Sequence, residues 1–225
     1  MPPRGIVRYN PAARLDKLAS MDHGERFNGY THLVGAIGAL AAASVLVAMG
    51  AQKGDVWRIV SFAVYGATLV TLFSASTIYH CSRGRVKAVF RKLDHCAIYL
   101  LIAGSYTPFA LVTLNGAWGW TLFGAVWALA IVGIVQECWV ARGARFTSLA
   151  TYLLMGWLAL FALEPLFEAL SWRGMAWLIA SGVVYTGGVV FYLYDERVRH
   201  FHGIWHLCVL AGSGLHYAAL VQFVA

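Results

Sequence analysis

The stretch HFHGIWHLCVLAGSGLHYAALVQFV (residues 200–224) opens on histidines and then runs to Val224 without a charged side chain. From His202 to Val224 it is long enough to cross a bilayer, which takes about 20 mostly apolar residues. His202 and His206 stand at i and i+4, so on a helix they share one face, one turn apart. That spacing suits two imidazoles on one metal ion, and it equally suits an ordinary pair of interfacial histidines. The stretch therefore predicts a membrane helix and leaves the histidines open.

Working outward, six further apolar runs precede it: Tyr30–Gly50, Trp57–His80, Asp94–Leu114, Trp118–Trp139, Thr147–Leu170 and Gly174–Tyr194. The chain is 60% hydrophobic and only 12% charged. A soluble domain keeps about a quarter of its residues charged, so this composition predicts an all-α membrane protein, a seven-transmembrane helix bundle over residues 28–225. Residues 1–27 read as a polar, basic tail without the apolar core of a cleaved signal peptide. Trp57, Trp118, Trp120, Trp139, Trp172 and Trp177 fall near predicted span ends, where interfacial aromatics belong. Small residues, as in Gly35-x-x-x-Ala39 and Gly212-x-Gly214, permit close helix contact.

All but three of the 17 lysines and arginines fall on one side of this scheme. They lie in the tail (Arg4, Arg8, Arg14, Lys17, Arg26) and in the connections holding Arg83, Arg85, Lys87, Arg91, Lys92, Arg142, Arg145, Arg197 and Arg199. The other side has Lys53, Arg58 and Arg173. Basic residues favour the cytoplasmic side, so the N-terminus is expected in the cytoplasm and the C-terminus outside. The net charge of +7 fits membrane orientation and anionic headgroups and calls for no nucleic acid. Cys81, Cys96, Cys138 and Cys208 form no tight pair, which excludes a zinc-finger or C-x-x-C redox motif.

Ionisable groups inside a membrane bundle are costly and usually functional. The topology places several at one depth. His80 ends the second span, Asp94 opens the third, and His202 and His206 open the seventh, all on the basic side. Three imidazoles and a carboxylate favour zinc among common metals, with iron and nickel as alternatives. Ser76 lies one turn before His80. Its hydroxyl either bonds a water at the metal or bonds back to its own helix carbonyl. Asp94 either works on that water or caps the third helix. His32 is either a supporting donor or an interfacial histidine. His216 lies about 15 Å beyond His206 along the helix, too deep to share the metal. Glu196 and His200 read as a solvated cluster, Glu164 as a carboxylate that either snorkels outward or satisfies backbone freed by Pro165, and Pro108 as a kink in the third helix.

At FSASTIYH (ending at His80), RKLDHCAIYLLIAGSYTPF (from Arg91), HGIWHLCVLAGSGLHY (from His202) and ERFNGYTH (from Glu25), the chain resembles the hemolysin III family of bacterial membrane proteins. That family is grouped with the progestin and adiponectin receptors. The resemblance implies a zinc site in which His80, His202 and His206 stand for the family's three histidines. It implies that Asp94 is the carboxylate contacting water at the zinc and that Ser76 is the accompanying serine. It also implies a multi-pass protein of the bacterial inner membrane. The connection between His80 and Asp94 is shorter here than in the eukaryotic receptors. The family name reflects cytolysis, the receptors are linked to ceramide hydrolysis, and related membrane enzymes are alkaline ceramidases.

Three functions follow as expectations. The first, implied largely by the family resemblance, is zinc-dependent hydrolysis of a lipid amide or ester; three protein ligands leave a fourth position open, and the surrounding helices suit an acyl chain. The second is a sensor of lipid or membrane state with structural zinc, favoured if Asp94 or Cys81 fills that fourth position. The third is a pore, disfavoured by the lack of a continuous polar stripe. Membrane lipid is the expected partner in the first two.

Overall fold

The computed structural model describes residues 23–139 and 145–225. Arg4, Arg8, Arg14, Lys17 and Arg142, with the predicted tail up to residue 22, lie outside the described residues. The described residues form seven α-helices: α1 (His23–Gln52), α2 (Val56–Cys81), α3 (Gly84–Pro108), α4 (Gly116–Trp139), α5 (Arg145–Gly156), α6 (Leu163–Tyr194) and α7 (Phe201–Phe223). Six of the helical stretches are long and apolar enough to cross a membrane, and one of these is the 50-residue stretch Arg145–Tyr194. The chain is thus an all-α, multi-helix membrane protein.

That 50-residue stretch covers two predicted spans. Straight, it would reach about 75 Å, more than twice the hydrocarbon thickness. It does not run straight. Ser171 breaks α6 with φ 59° and ψ 175°, and the two legs double back on each other. Arg145 at one end meets Asp195 at the other at 2.6 Å, and the Trp157 indole donates to the Thr186 hydroxyl at 3.1 Å midway. Because Arg145 and Asp195 meet, the start of α5 and the end of α6 share one end of the bundle.

The connection between α2 and α3 is only two residues. Ser82 is extended, and Gly84 (φ +57°) restarts the helix. The third helix therefore begins ten residues earlier than the predicted span. Arg85, Lys87, Arg91 and Lys92 ride on its first turns, where their good helix propensity and long stems suit a helix leaving the apolar region. Asp94 consequently lies about three turns inside α3, and the reading of it as an N-cap fails. Among the described residues, Asp55 acts as an N-cap carboxylate, accepting from Trp57 N at 2.9 Å and Arg58 N at 3.2 Å at the start of α2. At Pro108 the third helix widens into a π-helical turn, Phe109–Leu114, before Asn115 and Gly116 reverse the chain with positive φ.

The interior is packed by Leu46, Phe62, Tyr65, Val126 and Met155, all essentially inaccessible. Val34, Ile37, Ile131, Val132 and Phe161 stand on the outside, the face a bundle offers to lipid rather than water. Trp57 and Trp120 meet edge to face at 5.7 Å, tying the starts of α2 and α4 together. Helix α1 packs on α2 and on α7, and α6 packs on α7. One close approach matters for the site. Gly203, between the two histidines of α7, has no Cβ, and a Cβ there would stand 2.2 Å from the Phe27 ring. Its absence brings α1 against the histidine-bearing turns.

Candidate metal centre

His80 occupies the last turn of α2. His202 and His206 occupy the first two turns of α7, which starts after His200 takes a left-handed φ of 69°. One ring nitrogen from each of the three lies within 4.8 Å of the others. His80 and His206 are 3% and 2% exposed, so bulk water does not reach them freely. These three histidines, expected at one depth from the alternation of spans, meet in the structure.

Their orientation is fixed from behind. His80 Nδ1 lies 2.7 Å from Glu25 Oε2, and His202 Nδ1 lies 2.7 Å from Asp195 Oδ2. His206 Nδ1 lies 3.2 Å from the Asn28 carbonyl and 3.3 Å from the Thr31 hydroxyl. A carbonyl or carboxylate oxygen can only accept, so each Nδ1 carries a proton, and in the neutral ring each Nε2 keeps its lone pair. The Nε2 atoms of His80 and His202 are buried and meet no partner among the described residues. Buried, unsatisfied nitrogens of this kind call for a ligand. Histidine ligands held through their other nitrogen by carboxylates or carbonyls are the usual support of a metal site. The donor set fits a divalent ion.

Glu25, Asn28, Thr31 and Asp195 were not foreseen as site residues. Glu25, Asn28 and His32 stand at i, i+3 and i+7, one helical face, a signal available only once the helix is known to start before Tyr30. Glu25 is also held by Lys87 at 3.0 Å. Asp195 is held from the other side by Arg145. Burial pushes the Asp195 carboxyl up, but hydrogen bonds from His202 and Arg145 outweigh it and leave the group below its ordinary value.

His32 stacks on His206 with ring centroids 3.7 Å apart and planes 4° from parallel, and neither of its nitrogens is bonded among the described residues. It is a buried wall of the site, and with neither nitrogen bonded it is not a supporting donor to the three histidines. Ser76 is fully buried, and its hydroxyl makes no bond back to its own helix. It lies beside Asp94 without reaching hydrogen-bond geometry. Asp94 is buried within electrostatic reach of His80 and His202 but is not one of the three converging groups, and neither is the exposed Cys81. Glu164 is exposed, and Glu196 is solvated and paired with Arg145 at 2.7 Å. His216 does not join the cluster.

Below the histidines lies a cavity of about 200 Å³, mostly apolar, with Ser76, Asp94, His202 and His206 at its head and Tyr185 and His216 farther along. The hairpin legs α5 and α6 supply much of its wall.

Fold and site together define a polytopic membrane protein with a buried three-histidine centre able to hold a metal ion. The chain belongs to the Haemolysin-III related family, whose model matches residues 21–217. It is 38% identical to Hemolysin-3 of Bacillus cereus over 94% of this chain and 96% of that protein. It is 37% identical to the Hemolysin-3 homolog of Bacillus subtilis (strain 168), over 88% and 96%. It also resembles the Adiponectin receptor protein of Drosophila melanogaster, at 24% identity over 89% of this chain and 50% of the receptor.

Proposed function

We propose that this protein is a zinc-dependent hydrolase of a lipid amide or ester, embedded in the bacterial inner membrane as seven spans with the histidine end toward the cytoplasm. The observation that carries the reading is the pairing of three fixed imidazoles with an unbonded hydroxyl and a buried carboxylate at the head of an apolar cavity. His80, His202 and His206 hold the ion. When bound, zinc polarises a carbonyl and acidifies water at neutral pH.

The chain's own residues do the rest. Asp94 takes the proton of the attacking water as its oxygen bonds to the substrate carbonyl carbon, and returns it to the leaving nitrogen or oxygen as that bond breaks. The Ser76 hydroxyl donates to the carbonyl oxygen as charge develops there. The products are a fatty acid and an amine or alcohol. The cavity walls exclude water and take the acyl chain. Orientation is supported by Arg83, Arg85, Lys87, Arg91, Lys92, Arg145, Arg197 and Arg199, which all flank the histidine end.

The test is release of fatty acid from a ceramide-like amide or a long-chain ester by the purified zinc-loaded protein. Asp94→Asn should keep the metal and lose turnover by two or more orders of magnitude. A second reading, a lipid or membrane-state sensor with structural zinc, draws on the receptor name of the Drosophila relative. Stoichiometric zinc with no turnover over a broad lipid panel would select it.

A further inference from the structure

We propose that the cavity holds a second polar subsite at His216, which takes a hydroxyl group carried on the lipid chain about 15 Å from the bond held at the histidines. This rests on the lipid-hydrolase reading for what occupies the cavity head.

His216 lies ten residues beyond His206 on α7 and lines the same cavity. Its Nε2 is 3.0 Å from the Ser105 carbonyl oxygen. Since that oxygen can only accept, Nε2 carries the proton, and in the neutral ring Nδ1 is left as a lone-pair acceptor. The Tyr65 and Phe109 rings pack around the imidazole at 5.5 and 5.2 Å.

No hydrogen bond reaches Nδ1 among the described residues, and of the four neighbouring hydroxyl protons three are spent on other acceptors. Tyr65 donates to the Ser213 carbonyl at 3.4 Å, Tyr185 and the Ser213 hydroxyl bond each other at 2.7 Å, and Ser181 donates to the Gly212 carbonyl at 2.9 Å. An acceptor left without a donor in an apolar chamber is costly, and phenylalanine or leucine would line the chamber without that cost.

The missing partner is therefore a neutral donor that arrives on an apolar chain. A carboxylate or phosphate offers no donor, and an ammonium would bury a charge. A hydroxyl meets the requirement. It would sort substrates by where along the chain the hydroxyl lies, while the head of the cavity sorts them by the bond to be cleaved.

The experiment uses the delipidated full chain in detergent and measures binding of two series of fatty acids of increasing length, one unsubstituted and one ω-hydroxylated. At one chain length the hydroxylated acid should bind about three- to tenfold tighter than its plain counterpart, the yield of one neutral hydrogen bond. That preference should vanish at shorter and longer chains and in His216→Phe. It should survive in His216→Gln, which can still donate to Ser105 and accept from a ligand. Equal binding of both series by the wild-type protein at every length overturns the proposal, and so does a preference retained in His216→Phe. If His216→Phe does not fold, the wild-type length series decides alone, because a preference confined to one length needs a partner at fixed depth. The readout is binding and not turnover, so a protein that hydrolyses nothing can still show the preference. One that hydrolyses lipids without it loses this inference only.

Discussion

Three histidine–carboxylate pairs lie toward the same end of this bundle among the described residues; His80–Glu25 and His202–Asp195 belong to the candidate metal centre, and His95–Glu137 does not. His80 faces Glu25 at 2.7 Å, and His95 faces Glu137 at 2.9 Å. In both, a carboxylate orders an imidazole through Nδ1. The difference is in what meets the other side. His80 looks toward two more imidazoles whose own Nδ1 atoms are held, whereas His95 has no such company within metal-binding range among the described residues. Glu137 instead spends its second oxygen on Ser148 at 2.9 Å, and Tyr152 donates to the His95 carbonyl at 2.9 Å, so the pair ties α3 to α4 and α5. Pairing orients a histidine, but convergence makes a site.

The largest effect that could break this contrast is on bound metal. His206→Ala removes a ligand from a three-ligand set. Zinc content of the purified protein, measured by mass spectrometry of the metal, should fall from near one per chain to background. His95→Ala should leave it at one. Equal loss in both variants would mean that the two pairs do not differ as described.

Next in size is the support behind the ligands. Glu25→Gln leaves His80 in place but weakens its anchor, and zinc affinity should drop about 10–100-fold, the usual cost of losing such a partner. Glu137→Gln should not change zinc affinity within error. Competition with a chelator of known affinity reads both. Glu137→Ala should show its cost in stability, at about 2–3 kcal/mol, since hydrogen bonds to His95 and Ser148 are lost from a mostly buried carboxylate. The check is thermal unfolding in detergent with the metal retained.

The contrast also explains which features the amino-acid sequence makes legible. The spans were legible because removing charge from runs of some 20 residues is a signal of composition. His80, His202 and His206 were legible because alternating spans put the ends of α2 and α7 at one depth. The anchors were not. Glu25 sat in what read as a solvated tail and Asp195 in what read as a charged connection, and polar residues at helix ends look alike whether they hold a ligand or water. Arg85 to Lys92 were read as loop because they are charged, although lysine and arginine sit comfortably in a helix. The turn at Ser171 falls between the spans expected to end at Leu170 and begin at Gly174, where Trp172-Arg173-Gly174 interrupts the apolar run.

The smallest effect tests the capping role, expected as one alternative for Asp94 and found at Asp55. Asp55, at the end of the bundle away from the histidines, caps α2, and Asp94 caps nothing. The Asp55 side chain is 28% exposed. Burial raises its pKa, and hydrogen bonds from the Arg58 and Trp57 amides and the Arg58 side chain lower it by more, so the net value lies below the ordinary one. A carboxyl with a depressed folded-state pKa binds fewer protons folded than unfolded. Its contribution is therefore complete above the unfolded value, near 3.8, and disappears as pH falls through the lower folded value. Asp55→Ala should lower the melting temperature by about 2–4 °C at neutral pH. Wild type and variant should converge only in the acid range below the unfolded value. Convergence already between pH 5 and 7 would mean that Asp55 is not the cap. Zinc content should stay at one per chain throughout the neutral range, because this carboxylate sits at the opposite end of α2 from His80.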